Sequence, residues 1–180
     1  MIALLMCGGR GRRLGMGEKP MVNVEGRHLV DYVLDELWFC DVYGATTTFT
    51  PKTERYLRSQ GVGCIRTSGM GYVKDCAEAI LKLGIFEPVL VVSADLIILQ
   101  EDLILNVVEF YFRTDKPALK VIDRGGNALG INIIDGMFID SVQDESDFVV
   151  DDNKVININT PQDLMRASCL IRSKKRGEEW

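Results

Sequence analysis

Short apolar runs alternate with amphipathic stretches along most of the chain, and the two periods predict alternating strands and helices. Residues 2–6 form a continuous apolar run that empties into Cys7-Gly8-Gly9-Arg10-Gly11-Arg12-Arg13-Leu14-Gly15, the pattern of a buried strand followed by a loop. From 29 to 39, Leu29, Val30, Val33, Leu34, Leu37 and Trp38 recur at helical spacing with Asp31, Asp35 and Glu36 opposite, which predicts a helix facing a core. A strand is expected over 43–49. Thr50-Pro51-Lys52-Thr53-Glu54 then carries the signs of a helix start, with Thr50 as N-cap, proline next and an acid in the first turn, and Gly61 ends that helix. Residues 62–66 predict a shorter strand, and Thr67-Ser68-Gly69-Met70-Gly71 a loop feeding a helix over 72–83.

Pro88-Val89-Leu90-Val91-Val92-Ser93 is the strongest strand signal, apolar throughout like a parallel strand covered on both faces, and it ends at Asp95. A helix over 101–112, a strand over 118–122, a break at Gly125-Gly126 and an apolar segment over 129–134 follow. The pattern then weakens until 155–158 and a last helix opened by Thr160-Pro161-Gln162-Asp163. This alternation predicts an α/β fold: a doubly wound, mostly parallel, Rossmann-like sheet with helices on both faces. The 180 residues suit a single domain spanning 1–180, able to bury about 70% of its unfolded surface.

Composition narrows the function classes. An apolar fraction of 47% with 26% charged residues excludes a disordered or coiled-coil chain. A net charge of −5 argues against sequence-independent binding to nucleic acid. The longest apolar run, 88–94, is far short of a membrane span, and the N-terminal apolar run precedes the arginines rather than following them, so a cytoplasmic protein is expected. Cys7, Cys40, Cys64, Cys76 and Cys169 show no metal-ligand spacing and predict reduced, buried thiols. His28, the one histidine, is expected at the surface before the first helix, so chemistry must rest on carboxylates, lysine, arginine and backbone.

Ligands of open parallel sheets bind beyond the carboxyl ends of the strands, where this glycine loop lies. Gly8, Gly9 and Gly11 let backbone N–H groups approach phosphate oxygens, and Arg10, Arg12, Arg13 and Lys19 add cationic donors, which points to a polyphosphate. A dinucleotide fingerprint is excluded because Leu14 stands where its third glycine belongs. A P-loop is excluded because Lys19 lies between Glu18 and Pro20.

The strand, the loop through Gly15 and then Glu18-Lys19-Pro20-Met21-Val22 resemble the signature of the nucleotidyltransferase superfamily, whose fold is that of the nucleotide-diphospho-sugar transferases. Its members transfer a nucleoside monophosphate from an NTP to a phosphorylated acceptor. The resemblance implies that the loop wraps the triphosphate, that Arg13 holds it, and that Lys19 neutralises charge in the transition state. Ser93-Ala94-Asp95-Leu96 looks like the family's strand-end acid, which binds Mg²⁺ near the α-phosphate; Asp95 equally suits a cap on the following turn. Asn157-Ile158-Asn159-Thr160-Pro161 resembles the closing motif, in which Asn159 would complete the metal site, or with Thr160 cap the last helix.

Four stretches, the glycine loop, Thr67 to Tyr72 with Gly69 and Gly71, Val91 to Leu96, and Gly130-Ile131-Asn132 with the closing motif, resemble the archaeal adenosylcobinamide-phosphate guanylyltransferases. That narrower resemblance implies transfer of GMP from GTP to a corrinoid phosphate in cobalamin biosynthesis, by a monomer or homodimer using Mg²⁺. Base selection would fall to Thr67-Ser68-Gly69-Met70-Gly71-Tyr72, with Asp75 either an acceptor for the guanine edge or, as expected, an acid on the helix surface. Gly130 would lie near the nucleotide or acceptor, or mark a bulge or tight bend. The rivals are guanylyl transfer to the molybdenum cofactor and a non-catalytic nucleotide-binding regulator, which needs neither Lys19 nor Asp95. Between Lys120 and Leu129 the chain is short where the superfamily usually carries acceptor-binding insertions.

Overall fold

The N-terminal apolar run forms β1 (Ile2–Met6), which sits inside a seven-stranded sheet; the computed structural model describes residues 1–9, 11 and 14–177. After β1 come a 3₁₀ turn (Lys19–Met21), a hairpin of β2 (Asn23–Val24) and β3 (Arg27–His28), α1 (Leu29–Glu36), β4 (Asp41–Thr46), α2 (Pro51–Ser59), β5 (Gly63–Arg66) and α3 (Tyr72–Leu83). The second half holds β6 (Pro88–Ser93), β7 (Leu96–Ile98), α4 (Leu103–Tyr111), β8 (Ala118–Asp123), β9 (Ala128–Asp135), a 3₁₀ turn (Gly136–Phe138), β10 (Glu145–Val150), β11 (Val155–Asn157) and α5 (Pro161–Arg176). The sheet order is β10-β8-β9-β6-β1-β4-β5. Only β9 runs against its neighbours, β6 and β8; the other pairings are parallel.

The expected doubly wound architecture is therefore present. Leu57 of α2, Val30 and Val33 of α1, and Leu103 to Tyr111 of α4 pack on one face of the sheet with Leu5, Leu90, Val121 and Ile133. On the other face Cys76, Ala79 and Ile80 of α3 cover Leu4, Met6, Val89 and Val91. A third cluster joins Leu14 and Val22, on either side of the Lys19 turn, to Ile97, Ile156 and Ile158 and to Ala167 and Ile171 of α5. It fastens the segment after the glycine loop onto the β7–β11 ribbon.

Several expectations need correction. The first helix ends at Glu36, not 39, and Trp38, expected on its buried face, is 74% exposed. β10 was not expected: its inward side chains Ser146, Phe148 and Val150 alternate with outward Glu145, Asp147 and Val149, a weak signal because Glu and Asp disfavour strands. Glu145 and Asp147 are balanced across the sheet by Lys120, at 2.6 and 3.5 Å. The cysteines are all free, but only Cys7 and Cys76 are buried, with thiol pKa values pushed up by that burial, while Cys169 is exposed. Among the described residues no helix is long and apolar enough to cross a membrane.

Gly130 marks the irregularity where β9 shifts register on β8 between Lys120 and Ile122. Its φ is +79°, and a Cβ there would lie 2.7 Å from Ser93 Oγ, so both backbone and space require glycine. Gly130→Ala is expected to destabilise the protein by about 2 kcal/mol or more, read as a lower urea midpoint at unchanged m-value.

Candidate active site

β1 and β6 are parallel neighbours with Met6 opposite Ser93, so the glycine loop and the Ala94-Asp95 segment leave the sheet side by side. Ala94 N–H donates to Met6 O at 3.1 Å and Cys7 N–H to Ala45 O at 2.8 Å, fixing both exits. A cleft of about 430 Å³ opens there, with Gly8, Gly9, Gly69, Tyr72, Ser93 and Asp95 in its walls. The loop then folds on itself: Gly11 has φ +58°, its carbonyl accepts from Leu14 and Gly15, and a Cβ would fall 2.5 Å from Gly17 O. Arg10, Arg12 and Arg13 lie outside the described residues.

Lys19, Asp95 and Asn159 converge from three distant parts of the chain. Lys19 Nζ forms an ion pair with Asp95 Oδ2 and donates to Asn159 Oδ1 at 3.0 Å. Ile158 N–H donates to Asp95 O at 2.9 Å, and Asn159 Nδ2 to Asn157 Oδ1 at 2.9 Å, so the end of β11 is held against Asp95. Thr160 Oγ1 accepts from Asp163 N–H while Asp163 Oδ2 accepts from Thr160 N–H at 2.8 Å, a reciprocal cap that starts α5 immediately after Asn159. Capping thus falls chiefly to Thr160 and Asp163, and the Asn159 amide oxygen is turned to Lys19.

Asp95 Oδ1 is buried and, among the described residues, has no hydrogen-bond partner. Unpaired buried carboxylate oxygen is costly, and a hard cation or a donor on a ligand would satisfy it. Asp95 with the Asn159 amide oxygen offers the oxygen donors such a cation takes. Among the described residues no group of three or more His, Cys, Asp or Glu could hold a metal, so this pair would need phosphate or water oxygens to fill the coordination shell.

The neighbours of Lys19 fix its turn. Glu18 accepts from Lys52 N–H at 2.9 Å and Thr53 N–H at 2.7 Å, so Thr50 holds the N-cap position of α2 as expected but Glu18 supplies the capping oxygens. Thr50 Oγ1 instead accepts from Thr47 N–H at 3.0 Å. His28 is half-buried rather than on the surface: its Nδ1 lies 3.0 Å from Met21 O and its ring meets Tyr56 edge-on. No local spacing signals either role, because both partners lie outside the residue's own element.

Asp75 also departs from expectation. It is buried within the first turn of α3, its Oδ1 accepting from Gly69 N–H at 2.8 Å and Met70 N–H at 3.1 Å and its Oδ2 from Gly71 N–H at 3.3 Å. Glu78 accepts from Ser68 N–H at 2.8 Å, and its hydrogen bonds from Lys82 and Ser68 pull its pKa down to about 2. The N–H groups of 68–71 are therefore turned to α3, and the loop is left with carbonyl oxygens to offer a ligand. Tyr72, the last residue of the 67–72 segment expected to select the base, opens α3; it is 42% exposed, and Asn132 Nδ2 lies 3.5 Å from its hydroxyl. Gly130 sits across from it, against Ser93.

Comparison with known proteins gives one answer. A family model described as a MobA-like NTP transferase domain matches residues 3–143. An adenosylcobinamide-phosphate guanylyltransferase from Methanocaldococcus jannaschii is 36% identical over 198 residues, covering 96% of this chain and 98% of the relative. Among solved structures, a Bacillus anthracis protein assigned as a glucose-1-phosphate thymidylyltransferase superposes with a TM-score of 0.76 at 14% identity, over 96% of this chain and 95% of that one. Molybdopterin-guanine dinucleotide biosynthesis protein A from Archaeoglobus fulgidus gives 0.73 at 19% identity, over 97% and 100%; at these identities both attest the fold alone. The chain belongs to the MobA-like nucleotidyltransferases and, within them, to the family of the adenosylcobinamide-phosphate guanylyltransferases.

Proposed function

We propose that the chain transfers GMP from GTP to adenosylcobinamide phosphate, giving adenosylcobinamide-GDP and pyrophosphate, as a step of cobalamin biosynthesis in the cytoplasm. The observation that carries this reading is the convergence of Lys19, Asp95 and Asn159 beside the glycine cleft. Five free thiols suit a reducing compartment.

An oxygen of the acceptor phosphate attacks the α-phosphorus of GTP, the bond from that phosphorus to the α–β bridging oxygen breaks, and pyrophosphate leaves with the bridging oxygen. The acceptor oxygen is already anionic, so no side chain needs to take a proton from it. Loop N–H groups and Arg13 hold the triphosphate, and Lys19 presents its charge to oxygens on which negative charge grows during transfer. A bound Mg²⁺ would supply further neutralisation of those phosphates, and Asp95 through its buried Oδ1, with Asn159, would hold it. Glu18 acts on Lys19 only by holding its turn to α2.

Guanine presents N1–H and a 2-amino group where adenine presents an acceptor and a C–H. A loop whose donors are committed to Asp75 and Glu78 suits the first and not the second. Calorimetric titration with GTP, ATP and CTP, with and without Mg²⁺, is expected to show GTP binding at least about tenfold tighter than the others. Pyrophosphate should then appear when adenosylcobinamide phosphate is added. Equal affinity for ATP would overturn the guanine reading, and no pyrophosphate release would overturn the transfer reading. Asp75→Asn, which weakens the hold on the loop, is expected to narrow the GTP-to-ATP ratio.

Glu18→Gln separates positioning from substrate contact. It is expected to lose about 1 kcal/mol of stability through the α2 cap and to lower kcat several-fold, with KM for GTP nearly unchanged. An unchanged kcat alongside the loss of stability would confine Glu18 to the cap.

A further inference from the structure

A second and larger cavity, about 790 Å³, adjoins the cleft on the α3 face of the sheet. Its floor includes Val91 of β6, Ile134 of β9 and Ala118 of β8, and one wall is the start of α3, from Tyr72 to Ala77. The opposite wall is the segment from Ile139 to Glu145, fixed in place by Gln143, which accepts from Asp135 N–H at 2.9 Å and donates to Asp135 O at 2.8 Å. Among the described residues α3 is the one helix on this face, so the β9-β8-β10 half of the sheet has no helix over it.

Three observations define the occupant. The volume and the largely apolar lining suit a bulky organic ligand rather than a sugar or a second phosphate. Val73 and Val142 lie at its edge 79% and 102% exposed, apolar surface left uncovered on either wall. The rim acids are already neutralised, Asp144 by Lys116 at 2.5 Å and Glu145 by Lys120 at 2.6 Å, so no net charge selects for a polyanion. Tyr72 lines both this cavity and the nucleotide cleft, so the two spaces lie on either side of one side chain.

We infer that this cavity seats the corrin macrocycle of the acceptor, whose phosphate-bearing arm passes Tyr72 and Ser93 to reach the cleft beside Asp95. The inference rests on the function proposed above. The ring's aliphatic rim covers the apolar floor, and its amide-tipped arms find the Asn132 side chain. The short β8–β9 turn, closed by Asn127 N–H donating to Asp123 Oδ1 at 2.8 Å, belongs to this arrangement: the acceptor site is built from bare sheet and α3 instead of an inserted segment.

The test uses the full chain and measures pyrophosphate release as adenosylcobinamide phosphate is varied, with GTP affinity determined separately by calorimetry. Ala77→Phe, which fills the cavity from α3, is expected to raise KM for the acceptor about tenfold or more, and Val142→Asp about threefold, with GTP affinity within about twofold in both. Val142 is fully exposed, so its variant carries the test if Ala77→Phe does not fold. Wild-type turnover with acceptor KM unchanged in a folded Val142→Asp variant would overturn the inference alone. Absence of wild-type turnover would overturn the proposed function and this inference with it. A Val142→Asp variant that changes oligomeric state in sedimentation but not acceptor KM would show a second copy of the chain on this surface, which also overturns it.

Discussion

Lys19→Ala is expected to lower kcat by about 10³-fold while GTP affinity changes no more than a few-fold. In the free chain the ammonium group is already bonded to Asp95 and Asn159, so it is positioned before any ligand arrives. In the proposed mechanism its contribution to a bound triphosphate would be shared with loop N–H groups and Arg13, whereas the charge that grows during transfer would fall chiefly to Lys19. An interaction made more strongly in the transition state than in the ground state appears in kcat. Arginine is expected not to rescue the variant, because a planar fork does not replace a compact point charge in the space between one carboxylate and one amide. Single-turnover pyrophosphate release checks the result; a kcat within about tenfold of wild type would remove Lys19 from the reaction.

Asp95→Asn is expected to lower kcat by about 10²-fold or more and to raise the Mg²⁺ concentration needed for half-maximal turnover by at least about tenfold. The amide keeps the shape and the hydrogen bond from Lys19 but loses the charge and one anionic oxygen, so a thermal melt should show the fold intact. The double variant with Lys19→Ala should fall little below the worse single one, since the two side chains act as one unit. An Asp95→Asn enzyme with unaltered Mg²⁺ dependence would sink the metal role, and additive losses would show that the pair does not act together.

Much of this arrangement could be read from residue order because strand ends are where open sheets present ligands. The apolar runs at 2–6 and 88–93 and the helix over 72–83 lie where their patterns put them. Their ends carry the glycine loop and Asp95, and resemblance then linked Lys19 and Asn159 to them across 76 and 140 residues of separation from Lys19. Hidden from the sequence were bonds between elements. Glu18 looks like any acid before a turn until α2 arrives beneath it, and Asp75 looks like a first-turn surface acid until the preceding loop folds back onto both of its oxygens. Tyr72 and Asn132 are 60 residues apart and meet only because β9 reverses direction beside β6. β10, with its outward Glu145 and Asp147, has an identity that only its partner strand supplies.

The cluster that joins α5 to the Lys19 segment has a consequence for how the enzyme is made. Leu14 and Val22 rest on side chains that come at the far end of the chain, Ala167 and Ile171, and Asn159 stands just before the same helix. Translation delivers Lys19 and then Asp95 well ahead of these partners. A ribosome-bound intermediate that has already paired β1, β4 and β6 therefore holds its lysine turn without the packing that secures it. The packing that secures the lysine turn is complete only once α5 docks, although every residue lining the cleft itself precedes that helix in the chain.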